Sequence, residues 1–127
     1  MCSSDLRALV DRVGLTKFAR VHAGELAYGR KRTLEIATTL AMDPELMLLD
    51  EPTAGMGHED VDRVRDLIKE VAAGRTVLMV EHNMSVVSGI CDTITVLQRG
   101  AVLAEGGYAE VSANPQVIEA YMGTAHG

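Results

Sequence analysis

Two short apolar runs, "LMLL" at residues 46–49 and "VLMV" at residues 77–80, flank a segment with the spacing of a one-sided helix. No other feature narrows the fold of this chain as far. Within the segment, Val61, Val64, Leu67, Ile68 and Val71 recur at intervals of three and four, separated by Asp, Arg, Lys and Glu. A period of 3.6 puts the five on one stripe. The spacing predicts an amphipathic helix over 58–73, closed by Gly74. The flanking runs are too short for helices and carry no polar interruption. Each reads as a strand covered on both faces, as in a parallel sheet. Strand–helix–strand order implies a right-handed crossover and helices on the sheet faces. The expected class is α/β.

The rest of the chain fits around that unit. Residues 6–13 read as a short helix ending at Gly14, and residues 29–42 as another, with Leu34, Ala37, Leu40 and Ala41 on one side. Asp43-Pro44 stops it, because a residue before proline avoids helical backbone angles. Residues 83–91 suggest a short helix. "TITVLQ" and "AVLAEG" are two strands punctuated by Arg99-Gly100, a hairpin signal, and Pro115 opens a terminal helix over 115–123. Residues 1–6 are a candidate assembly scar, since "CSSDL" also results from translating a common sequencing adapter. The other reading is a helix start capped by Ser3, Ser4 or Asp5.

Composition excludes several classes. The 127 residues suffice for one domain. A net charge of -6 argues against a nucleic-acid surface. No apolar run is long enough to span a bilayer, and no secretory signal is visible. Cys2 and Cys91 give neither a disulfide framework nor zinc spacing, and read as free thiols. His22, His58 and His126 lack partners at metal-ligand spacing and read as solvated. The seven methionines are scattered, as gap-filling core residues are.

The chemistry gathers at the ends of the two runs. Asp50 and Glu51 follow the first at once, and His82 follows the second. Ligands of open parallel sheets bind beyond the carboxyl ends of the strands. There a divalent ion takes one carboxylate, commonly through water, while holding phosphate oxygens. The adjacent carboxylate could orient or deprotonate a water, and the imidazole could bond a terminal phosphate. Taken alone, the pair reads first as a loop cap, Asp50, beside a solvated glutamate, Glu51.

The longer strings "LAYGRKRTLEIATTLAMDPELMLLDEPTAGM" and "TVLMVEHNM" are more specific. Together they resemble the nucleotide-binding subunit of ABC transporters, from Leu6 to the C-terminus. The resemblance implies a P-loop NTPase-like fold, here the C-terminal half of an ABC ATPase with a mostly parallel sheet, flanking helices and a C-terminal β-hairpin. Residues 7–43 would be the end of the helical subdomain with the signature motif, and 44–127 the Walker B core and C-terminal region. It implies that Leu26, Ala27, Tyr28, Gly29 and Arg30 form the signature motif, which caps ATP held by a second subunit of a head-to-tail dimer. It places Asp50 at Mg2+, Glu51 as catalytic glutamate, His82 as switch histidine, and Ala54, Gly55, Met56 and Gly57 in the D-loop. A helix starting at Gly29 would offer free amides and a positive dipole end to phosphate. Permease subunits, an indirect link to a periplasmic binding protein and a peripheral site on the cytoplasmic face of a bacterial inner membrane are also implied.

Three departures shape the expectation. Ala27 stands where the family usually has serine, so no hydroxyl reaches the partner's phosphate. Arg30 stands where glutamine is frequent, in the run Arg30-Lys31-Arg32 that otherwise reads as a solvated helix face. No Gly-Lys pair occurs among the 127 residues, so the phosphate loop G-x-x-x-x-G-K-[ST] is absent from them, as is the glutamine loop. The chain is therefore expected to be a fragment, poorly stable and inactive alone. Tyr28, "EPTAGM", "EHNM", "GICD" and the ending "VLAEGGYAEVSANPQVIEAYMG" are most similar to branched-chain amino-acid importers. Urea or amide importers, lipopolysaccharide-export ATPases, soluble ABC-type ATPases and a non-catalytic interaction module are the alternatives.

Overall fold

In the computed structural model, which describes residues 3–122, the expected helix of the central unit is α3, His58–Val71. All five periodic side chains are buried on it. Glu59 and Asp60 in its first turn and Lys69 in its last complement the helix dipole. It joins β1, Leu46–Asp50, to β2, Thr76–Val80, and the two strands pair in parallel from Leu46↔Thr76 to Asp50↔Val80. Upstream lie α1, Ser3–Arg12, two 3-10 turns, Thr16–Phe18 and Ala23–Glu25, and α2, Tyr28–Leu40. Helix α2 buries Gly29, Ile36, Ala37 and Leu40. Asp43 stops the chain with a left-handed φ of 46° ahead of Pro44. These elements form one compact unit, Met1–Asn83.

The strands differ from expectation in one respect. Cover on both faces was expected, but only one face of the pair is covered. Met47 is 1% exposed, whereas its neighbour Leu48 is 67% exposed and Leu78, opposite Leu48, is 63% exposed. Leu46 and Val80 are exposed as well. Side chains alternate between faces, so these four form one bare apolar surface. A continuous apolar run specifies a strand fit for burial on both sides, but cover must come from other segments. The described residues supply it to the Met47 face alone.

The second unit, Met84–Gly127, holds α4 (Met84–Ile90), β3 (Ile94–Gln98), β4 (Ala101–Gly106), α5 (Tyr108–Ser112) and α6 (Pro115–Val117). Strands β3 and β4 are antiparallel, with Gln98 opposite Ala101. The two-residue turn between them has φ of 51° at Arg99 and 80° at Gly100. Two positive φ angles match the twist of the flanking strands, and glycine takes the second without strain. This is the C-terminal β-hairpin that was expected. Among the described residues there are two two-stranded sheets, one parallel and one antiparallel. The terminal helix also divides. Asn114 caps α6 by accepting from the Gln116 amide at 2.9 Å, and a π-helical segment, Ile118–Met122, follows. From that segment the Tyr121 hydroxyl donates to the Leu97 carbonyl. Cys91, next after α4, is a free thiol whose pKa is raised by burial and then by Asp92. Cys2 and His126 lie outside the described residues. No helix among the described residues is long and apolar enough to cross a membrane.

Candidate functional site

Parallel pairing brings the ends of β1 and β2 side by side, which fixes where Asp50, Glu51 and His82 emerge. Asp50 is the last residue of β1, opposite Val80. The next residue, Glu51, turns the chain sharply with a left-handed φ of 44°, an uncommon state for a side chain of that size. Its amide still donates to the Val80 carbonyl at 2.7 Å, so the ladder runs one bond beyond the strand. The carboxylate of Glu51 then lies 3.4 Å from Nδ1 of His82, with the two side chains 48% and 67% exposed. The sequence expectation that these residues share one edge is met by this geometry.

The other expected residues form a second group. Leu26 is buried and ends the preceding 3-10 turn. Ala27 is the N-cap of α2, with no side-chain acceptor for the amides of the first turn. Tyr28 is half exposed, and its ring lies against Gly55: a Cβ on Gly55 would sit 3.6 Å from Cε1 of Tyr28. Gly29 is a close-approach position, because a Cβ there would fall 2.7 Å from Cγ of Asp60. The neighbour that requires glycine at 29 is thus a carboxylate of α3. Ala54 donates to the Glu51 carbonyl at 3.1 Å and Met56 to that of Thr53 at 3.3 Å, which winds residues 51–56 into a tight turn. Gly57 is the N-cap of α3. Residues 26–30 and 54–57 therefore meet through Tyr28 and Gly55.

Sequence reasoning misread the basic run. Arg30 packs over the Phe18 ring, 4.3 Å from its centroid, a cation–π contact that gives its direction. Arg32 is not a solvated helix residue. Its Nη2 donates to the carbonyls of Asp50 and Glu51, both at 3.3 Å, while Nη1 pairs with Glu35 at 2.7 Å. The two arms of the guanidinium thus serve different partners, Nη2 the two consecutive carbonyls and Nη1 the Glu35 carboxylate. Glu81 was passed over altogether. Its Oε2 accepts from the Thr53 hydroxyl at 2.7 Å and the Thr53 amide at 3.3 Å, and its Oε1 from the amides of His82 and Asn83 at 3.1 and 3.3 Å. The available signal was register: if 50 pairs with 80, then 51 and 81 are the next pair.

As a cation site the arrangement is partial. Asp50 and Glu51 supply hard oxygen donors, but no group of three or more His, Cys, Asp or Glu among the described residues could hold a metal ion. That fits magnesium as it is used with nucleotides, with one or two carboxylates and the remaining ligands from phosphate and water.

A serine at position 27 would supply the missing cap. Ala27→Ser is expected to stabilise the chain by about 0.5–1 kcal/mol, seen as a higher urea midpoint at unchanged slope. An unchanged midpoint would mean that the first-turn amides are already satisfied.

Comparison with known proteins gives the family and the fold. The family model described as ABC transporter matches residues 2–54, and that described as branched-chain amino acid ATP-binding cassette transporter matches residues 101–127. The chain is 42% identical over 118 residues to the high-affinity branched-chain amino acid transport ATP-binding protein BraF of Pseudomonas aeruginosa, covering 91% of this chain and 46% of BraF. LivG of Salmonella typhimurium, with the same description, is also 42% identical over the same shares. The methionine import ATP-binding protein MetN of Haemophilus influenzae is 34% identical over 87% of this chain and 33% of its own length. Among solved structures, the ADP conformation of MJ1267, an ATP-binding cassette of an ABC transporter, superposes with a TM-score of 0.84 at 28% identity, covering 94% of this chain and 49% of that one. The chain spans about half the length of the curated relatives it matches. On the strength of these matches, the chain carries part of an ABC transporter ATP-binding domain.

Proposed function

We propose that these residues belong to an ATP-hydrolysing subunit of an importer for branched-chain amino acids. One observation carries the hydrolytic part: Glu51 projects beyond a parallel strand beside Asp50 and within 3.4 Å of His82. In this reading Glu51 accepts a proton from a water that attacks the terminal phosphate of ATP. Help of that kind from a positioned base is worth roughly 10²–10⁴-fold. Asp50 is the residue that would hold Mg2+, commonly through water, and the ion would neutralise charge on the phosphates. Nδ1 of His82 lies toward Glu51, which leaves Nε2 as the ring nitrogen for a phosphate oxygen. The N-terminal amides of α2, around Ala27–Arg30, face the ATP of a second such subunit in a head-to-tail dimer, and the D-loop, Ala54–Gly57, lies next to them. Permease subunits in the inner membrane, and a periplasmic binding protein through them, complete the importer, with this subunit peripheral on the cytoplasmic side.

Residues 7–43 then form the end of a helical subdomain and residues 44–127 the hydrolytic core and C-terminal region. The bare face of Leu46, Leu48, Leu78 and Val80 supports the view that further polypeptide covers this sheet. Branched-chain amino acids are favoured over methionine by the stronger likeness to BraF and LivG and by the match over 101–127.

The reading is tested by comparing ATP turnover of the full-length gene product with that of the 127 residues alone, and by uptake of labelled leucine in cells lacking the gene. Turnover is expected from the first protein and none above background from the second, which has no phosphate loop. Uptake should be lost on deletion and restored by the intact gene. Turnover by the 127 residues, or uptake indifferent to the gene, would sink it.

A further inference from the structure

The Glu51–His82 pair cannot hold its own geometry. Both side chains are largely exposed, and an exposed ion pair contributes little and is screened by salt. The backbone ladder does not hold it either. Its last bond is Glu51 N–H to the Val80 carbonyl, and among the described residues no backbone bond links residues 52–57 to residues 81–83. In chain order, residues 52–57 lead into α3 and residues 81–83 into α4. The Glu81 side chain bridges the two segments. Glu81 takes two hydrogen bonds from Thr53 on the first loop and two from the amides of His82 and Asn83 on the second. Thr53 is 4% exposed, the one buried polar side chain in the described core, and its hydroxyl donates to Glu81. Bonds to an ionised acceptor are the strong ones, and these are shielded at the Thr53 end.

We infer that Glu81 is a positioning residue that fixes His82 and Glu51 at working distance by clamping the loop after β1 to the loop after β2 through Thr53. The inference rests on the hydrolytic reading of Glu51 given above. Glu81 itself touches neither nucleotide nor water in this account. It acts on turnover by holding two loops in register. Losing the clamp lets His82 and Glu51 drift relative to each other, and a displacement of about 1 Å costs on the order of 100-fold in rate.

The test uses the full-length gene product with Glu81→Ala, Glu81→Gln, Thr53→Val and Glu51→Gln. Glu81→Ala is expected to lower kcat about 10- to 100-fold with the KM for ATP nearly unchanged. Glu81→Gln keeps one acceptor oxygen but turns an NH2 donor toward the amide donors of the other loop, so it holds one loop only; it and Thr53→Val should both fall between wild type and Glu81→Ala. Amide exchange at Thr53, His82 and Asn83 should quicken in Glu81→Ala well beyond the change at core amides of α3. Wild-type kcat in Glu81→Ala, or unaltered exchange at those three amides, overturns the inference. Should Glu51→Gln keep full turnover, the hydrolytic reading fails instead, and the exchange data still decide whether Glu81 clamps the loops. If Glu81→Ala does not fold, Thr53→Val carries the test: unchanged kcat and unchanged His82 exchange there overturn it.

Discussion

Glu51→Gln is expected to reduce ATP turnover by the full-length gene product about 100- to 10,000-fold, the range for removal of a positioned general base, while leaving ATP binding close to wild type. The exchange removes one negative charge and keeps shape. Glutamine pays much the same cost as glutamate in the left-handed conformation that residue 51 adopts. The backbone contacts of this position, its amide on Val80 and its carbonyl on Arg32 and Ala54, do not involve the side chain. Half of the side chain is in solvent, so folding should be little affected. What is lost is the capacity to take a proton from water. A single-turnover measurement separates this from binding, since ATP should accumulate on the protein without being split. Turnover within threefold of wild type would assign the base to another group.

Much of the architecture was legible because periodicity reports burial directly. The five apolar residues of α3 and the two apolar runs could satisfy few arrangements other than strand–helix–strand, and Arg99-Gly100 between two strand-like segments left little choice of turn. The positions of Asp50, Glu51 and His82 followed from the same logic, because parallel register aligns the strand ends. The parts that were not legible are those set by partners distant in sequence. Arg32 looks like any charged helix residue until α2 is laid against β1, when its Nη2 meets two carbonyls 18 and 19 residues away. Glu81 looks like a solvated residue until the 28-residue separation from Thr53 is closed by the βαβ fold. Exposure of Leu48 and Leu78 was hidden for the complementary reason. A strand's composition records what both faces can tolerate and is silent on which face receives cover.

That one-sided cover leads to the other large effect. Ile68→Ala and Leu78→Thr remove apolar side chains of similar size from the same unit, yet their costs to the 127-residue chain should differ several-fold. Ile68 is 2% exposed on the inner stripe of α3. Its truncation loses transfer energy and leaves a cavity, together about 2–5 kcal/mol. A unit with a bare apolar face sits at the low end of the roughly 0.05–0.15 kcal/mol per residue of folded domains, which for Met1–Asn83 is about 4 kcal/mol. Ile68→Ala should therefore lower the urea midpoint by more than half, or leave the chain unfolded in buffer by circular dichroism. Leu78, already 63% exposed, has little burial to forfeit, and threonine suits a strand surface. Its replacement should shift stability by no more than about 0.5 kcal/mol and reduce self-association, because it breaks the apolar patch shared with Leu48. In the full-length gene product the ranking should narrow, since cover over the sheet would bury Leu78 and make its loss costly. Equal costs of the two substitutions in the 127 residues alone would mean that Leu78 is already covered in solution, and that the sheet does not present a bare face.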